Sequence, residues 1–109
     1  EVKLKVKLET KKTSLRLSKD EFQTLCQKNR LQEEIYFPGE KCLKISVELE
    51  AVQFFKFEDN QIQFGLPKHL IQIYKPNKAG LSLQFQCDKG RIHTVIFEVD
   101  IKKPPLSSL

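Results

Sequence analysis

The feature that most constrains this chain is a change of period that occurs twice. "SLRLSKDEF" (Ser14 to Phe22) alternates apolar and polar residues, reaches a helix-start signal and continues at helical spacing, and 48 residues later "IQFGLPKHL" (Ile62 to Leu70) does the same. Alternation belongs to a strand with two unlike faces, and i, i+3, i+4 spacing to one face of a helix. Short strands must therefore hand over to short helices twice, which points to an α+β fold.

The remaining segments fill in around these two joins. "VKLKVKL" (Val2 to Leu8) places Val2, Leu4, Val6 and Leu8 on one side and three lysines on the other, and after the turn "ETKKT" the run Leu15 to Leu17 alternates again, which makes a hairpin. Ser18 with Glu21 three residues on is a capping box, Asp20 suits the positive end of the helix, and Asn29 is suited to the left-handed C-cap. "LQEEIYF" and "CLKISVELE", separated by Pro38-Gly39, form a second hairpin. "VQFFKFE" and "QIQFGL" around Asp59-Asn60 form a third, and "LSLQFQC" and "RIHTVIFEVDI" around Asp88-Lys89-Gly90 a fourth. Between the last two lies a short helix with Pro67 at its first position and Leu70, Ile71 and Tyr74 on one face, broken by Pro76 to Gly80.

The expectation is thus a single α+β domain over residues 1–103, mainly antiparallel, with about eight strands and two short helices. It reads as two β-β-α-β-β pseudo-repeats, about 1–50 and 51–103, packed around one core as a barrel-like or two-sheet domain. The repeat pairs Leu15 with Ile62, Arg16 with Gln63 and Leu17 with Phe64. The Pro-containing end, 104–109, is expected to fray.

A chain of 109 residues is long enough for one such core. No apolar run approaches the ~20 residues that cross a bilayer, and the charged, alternating start is unlike a signal peptide. The chain reads as cytoplasmic, with no membrane role. Three cysteines at wide spacing, Cys26, Cys42 and Cys87, form neither a disulfide framework nor a zinc pattern. Cys26 and Cys87 fall on core-facing positions and are expected to be small buried residues.

The net charge of +5 is uneven: basic terminal portions flank an acidic middle. Such a balance points toward anionic partners. Against that, lysine outnumbers arginine 16 to 3, and arginine is the residue suited to gripping phosphates and bases with two parallel bonds. Lys3, Lys5 and Lys7 share one face of the first strand and with Arg16, Lys44 and Lys68 are the candidate anion-binding residues. The same lysine row also protects an edge strand from pairing with another chain.

Signs of catalysis are sparse. His69 reads as a solvent-side helix residue and His93 as a partly buried strand residue, and no nucleophile motif accompanies either. The cysteines and histidines are too scattered for a metal site, and the four glycines are isolated rather than gathered into a phosphate loop. Only Gly65, before the second helix and near Lys68, stands where an anion could meet a helix start. Glu33-Glu34 reads as a solvated strand edge. No catalytic residue, cofactor or metal is expected, and the chain reads as a non-enzyme. "QFFKFE" places Phe54, Phe55 and Phe57 within four positions. Alternation turns at least one outward, either to stack on a base, to meet a protein or to pack at a bulge.

Two resemblances attach to these residues. Arg16, Leu17, Ser18 and Glu21 after a basic strand, with Asn60, Ile62, Phe64, Leu66 and Pro67 at the second join, resemble a family of small uncharacterised bacterial proteins, over most of the chain. That family has no assigned activity. Locally, "IQFGLPKHL" followed by "AGLSLQF" is similar to the core of swapped-hairpin transition-state-regulator DNA-binding domains, although Gly65 is inserted and the acid after Gly80 is missing. This second resemblance implies a paired basic sheet against DNA, with Lys68 as a contact. The leading expectation is a binding or interaction protein, acting through a protein-facing surface on a partner or a second copy. The alternative is nucleic-acid or polyanion binding through a basic sheet face.

Overall fold

The computed structural model describes residues 4–77 and 79–100. The start of the first expected strand (Val2, Lys3) and the 104–109 tail lie outside the described residues. Eight strands and two helices follow in the order β1 (Lys5–Leu8), β2 (Lys12–Leu17), α1 (Lys19–Lys28), β3 (Arg30–Phe37), β4 (Lys41–Glu50), β5 (Phe54–Glu58), β6 (Gln61–Pro67), α2 (Lys68–Ile73), β7 (Leu81–Gln86) and β8 (Ile92–Val99). A single 3-10 turn, Asp88–Gly90, joins the last two strands.

The strands form two four-stranded sheets rather than a closed barrel, in the orders β1-β2-β8-β7 and β3-β4-β6-β5. All four expected hairpins are present as antiparallel pairs. The pairings that join them are parallel. β2 lies beside β8 with Leu15 opposite Phe97, and β4 beside β6 with Val47 opposite Phe64. Each sheet therefore takes one hairpin from each half of the chain. Exchanging β1–β4 for β5–β8 turns one strand order into the other.

In the second sheet the chain leaves β4, passes over the place β6 will fill, runs along the edge as β5 and returns between them as β6. That crossing spans two strand spacings, about 9.5 Å. The four steps from Glu50 to Phe54 reach about 13 Å when extended, so the link covers that distance with little slack. Gln53 also donates its side-chain amide to the Gln84 carbonyl of β7 at 2.8 Å, stitching the edges of the two sheets together.

One core fills the space between the sheets. Leu15, Leu17, Val95 and Phe97 from the first meet Val47, Phe64 and Leu66 from the second, with Leu25 of α1 and Ile71 of α2 closing over them, all fully buried. Phe97 lies between a tilted Phe22 and an edge-on Tyr74, one ring from each helix region. The α1 ends are as the sequence implies. Ser18 and Glu21 exchange both capping bonds, and Asn29 closes the helix with φ 63° while its N–H bonds the Leu25 carbonyl.

Two expectations are corrected. Pro67 is not the first residue of α2 but the last of β6, paired with Glu50, and it stands as an N-cap with no side chain to offer. The helices therefore start 49 residues apart, at Lys19 and Lys68, and the structural counterpart of Leu15 is Phe64, not Ile62. The slip of two residues keeps strand parity, so alternation alone could not expose it. Cys26 and Cys87 are exposed, not buried, and Cys42 is half-buried. Cys26 follows the buried Leu25 but faces away from the sheets, and Cys87 lies past the end of β7 where nothing covers it.

Candidate functional site

The expected anion-binding residues divide among three places. Lys5 stands opposite Arg16, and Arg16 beside Glu98, while Lys7 stands opposite Ser14, so Lys5, Lys7 and Arg16 share the outer face of the first sheet. Carboxylates already serve part of this face. Arg16 lies 3.7 Å from Asp100, and Glu9 takes Lys7 at 3.4 Å and Lys12 at 3.9 Å. Lys44 is on the outer face of the second sheet between Glu34 and Gln61. Lys68 opens α2 above a shallow hollow that also contains Glu50 and His69, and His69 is solvent-exposed as expected. Lys3 lies outside the described residues.

The aromatic run of β5 resolves residue by residue. Phe55 faces the core, stacked on Phe64 at 4.6 Å and edge-on to Phe85. Phe54 faces outward over Gly65, where a Cβ would lie 2.2 Å from the ring, and the Lys56 ammonium sits 5.2 Å from the ring centre. Gly65 is thus the seat of an aromatic ring rather than an anion cradle.

Phe57 shares the inward parity of Phe55 and stands opposite the buried Ile62, yet on the edge strand it is 70% exposed. On the opposite edge strand, at the same end of the sheet, Ile35, opposite Leu43, and Phe37, opposite Lys41, are 40% and 48% exposed, while Ile45 and Ile62 on the strands between are buried. Tyr36 points to the opposite face, 73% exposed, and donates its hydroxyl to Glu34. That bond, with the carboxylate's charge, holds the Tyr36 phenol above its ordinary pKa. On the same parity stand Glu33, opposite Ile45, and Lys41, opposite Phe37, and the two turns at this end carry Glu40 and Asp59. The exposed apolar residues thus have mostly acidic neighbours.

His93 is half-buried as expected, at the opposite kind of end. Its Nε2 lies 2.7 Å from the hydroxyl of the fully buried Thr13, and its ring meets the edge of Phe55 at 5.5 Å. Beside it opens a cleft of about 710 Å³ lined by Thr10, Lys11, Cys87, Arg91 and Ile92. Sequence reading missed Lys11 and Arg91 because they sit in turns 80 residues apart, and only the parallel β2–β8 pairing brings them together. Among the described residues no carboxylate orients His93, and no group of three or more histidine, cysteine or acidic side chains could hold a metal. No helix of the described residues is long and apolar enough to cross a membrane.

A model of the family of unknown function DUF7009 matches residues 4–103. No curated protein and no solved structure matches the chain significantly, and the local likeness to transition-state regulators gains no further support.

Proposed function

The chain belongs to DUF7009, a family of unknown function, and for this member we propose a non-enzymatic protein-interaction role through the uncovered end of the second sheet. One observation carries the reading: Phe57, Ile35 and Phe37, all of inward parity, stand in solvent at one end of the second sheet, beside turns that carry Glu40 and Asp59. A single exposed apolar residue needs no explanation, but three large ones on the two edge strands of one sheet end support a docking surface. Its aromatic content suits an interface core, and its acidic neighbours select a partner segment with apolar anchors and flanking basic residues. β3 adds a free edge of eight residues along which an extended segment can pair.

The test is a photo-crosslinking amino acid at position 57 in the source cells. A discrete crosslinked protein, lost when Ile35→Glu is added and presenting basic residues at the crosslinked segment, supports the reading. Crosslinks that are diffuse, or that survive Ile35→Glu, overturn it.

A second reading is favoured by the Lys5–Arg16 pair with Lys7 on one sheet face. It predicts binding to nucleic acid that falls steeply with salt, as counterion release requires. The ion pairs to Glu9 and Asp100 reduce the charge that face can offer, and for that reason it ranks second.

A further inference from the structure

A different part of the molecule holds a second cleft. Because β2 and β8 run parallel, the turns that precede them arrive at the same end of the first sheet. One brings Lys11 and the other Arg91 to the cleft beside His93. Both backbones are fixed. The Lys11 carbonyl accepts from the Thr94 N–H at 3.0 Å, the Arg91 carbonyl from the Cys87 N–H at 2.8 Å, and the Arg91 N–H donates to the Asp88 carbonyl at 3.3 Å. Among the described residues no carboxylate lines the cleft. Glu9, the nearest acid in the first turn, is engaged by Lys7 and Lys12, and Lys11 and Arg91 have no ion pair among the described residues. Two anchored cations in a cleft without counter-charge leave an anion's place open.

The imidazole is held as well. Thr13 is fully buried, so its hydroxyl has little freedom, and it fixes His93 at Nε2 while Phe55 fixes the ring's edge. The direction of that bond follows the imidazole tautomer: in the Nδ1–H tautomer, or in the imidazolium, Nδ1 is a donor. Ile92, half exposed, adds an apolar wall. The volume of about 710 Å³ falls within the range of small-molecule pockets, ~300–1,000 Å³.

We propose that this cleft binds a small organic phosphate monoester. Lys11 and Arg91 hold the phosphate oxygens, His93 adds a hydrogen bond, and the organic part lies along Ile92. Three donor groups from separate strands and turns match three terminal oxygens, and the guanidinium can grip two of them at once. A carboxylate carries one charge where the monoester carries nearly two, and so matches two cations less well. The site is independent of the interaction surface above, which is built on the second sheet.

The test is a titration of the labelled full chain, followed by amide NMR and calorimetry, with phenyl phosphate and ribose 5-phosphate as probes. Inorganic phosphate, benzoate and an eight-nucleotide single strand are the comparisons. The expected result is saturable shifts confined to Thr10–Thr13 and Cys87–Thr94 with both monoesters. Lys11→Gln combined with Arg91→Gln should weaken binding at least about tenfold, the scale of losing charge-assisted bonds. Lys5→Gln with Lys7→Gln, on the outer face, should leave it unchanged. All four positions are exposed, and an unaltered melting curve shows that the variants fold. Shifts spread evenly over the surface lysines, affinity that survives the double cleft variant, or benzoate binding as tightly as phenyl phosphate overturns the proposal. Tighter binding of the oligonucleotide that depends on Lys5 and Lys7 also overturns it, in favour of the basic face.

Discussion

The two sheets share one strand plan and end in opposite chemistry. In each, a parallel central pair brings two hairpin turns side by side. At that end of the first sheet the turns carry Lys11 and Arg91, and the inner face closes on His93 and Thr13. At that end of the second, the turns carry Glu40 and Asp59, and the inner face opens on Ile35, Phe37 and Phe57. The backbone plan fixes where turns meet. What meets there is decided by residues far apart in the chain, so one topology serves as a scaffold for two unlike surfaces.

The largest effect should separate covered from uncovered aromatics within the second sheet. Phe64→Ala removes a fully buried ring and should cost about 3–5 kcal/mol. Phe57→Ala, on the adjacent strand and facing the same way, should cost under about 0.5 kcal/mol. Urea unfolding of both variants measures this. Comparable losses would mean that the exposed end is structural, and would remove the basis of the docking surface.

The next contrast compares one position in both sheets. With Leu15 matched to Phe64, Arg16 corresponds to Gly65. The first sheet presents Lys5–Arg16–Glu98 across its outer face, and the second Phe54–Gly65–Glu48. Gly65→Val should displace the Phe54 ring and cost about 1–3 kcal/mol. Arg16→Val, at an exposed position, should change stability by less than about 0.5 kcal/mol. Equal effects would show that the ring does not depend on its glycine seat.

The helix starts differ in the same way. Ser18→Ala removes the hydroxyl that accepts from the Glu21 N–H, while the backbone half of the exchange can persist, and should lower stability by about 1 kcal/mol. At the matching Pro67 there is no side-chain cap to lose, so Pro67→Ala should cost less. A thermal melt in which Pro67→Ala is the more damaging variant would show that the strand end, not the cap, sets the start of α2.

These contrasts also show what the sequence could and could not reveal. Hairpins, the capping box and the Asn29 C-cap were legible because each depends on residues a few positions apart. The parallel pairings were not, since nothing local in β2 names β8 as its neighbour, and with them the meeting of Lys11, Arg91 and His93 stayed hidden. Alternation showed that Phe54, Phe55 and Phe57 could not all face one way. It could not tell which would be covered, because coverage depends on strands elsewhere in the chain. The cysteines failed for the same reason: Cys26 and Cys87 sit at the margins of core-facing segments, where a position with the right parity still meets solvent.

The smallest expected effect concerns Thr13, whose counterpart in the second sheet is Ile62. Both are buried, but Thr13 spends its position on a hydroxyl bonded to His93, where Ile62 carries only hydrocarbon next to Phe57. Thr13→Val keeps the volume and removes the bond. A net hydrogen bond is worth about 0.5–1.5 kcal/mol, and an orphaned buried partner costs more. His93 is only half-buried and can recruit water at Nε2, while valine gains from burial, so the loss should fall near 0.5 kcal/mol. The informative readout is the imidazole itself. If Thr13 orients the ring for a ligand, Thr13→Val should leave the melt nearly unmoved, broaden the His93 ring signals and weaken phenyl phosphate binding by a few fold. A loss of several kcal/mol with unaltered binding would show that the hydroxyl serves the core, and that the two ends differ in packing rather than in what they were built to hold.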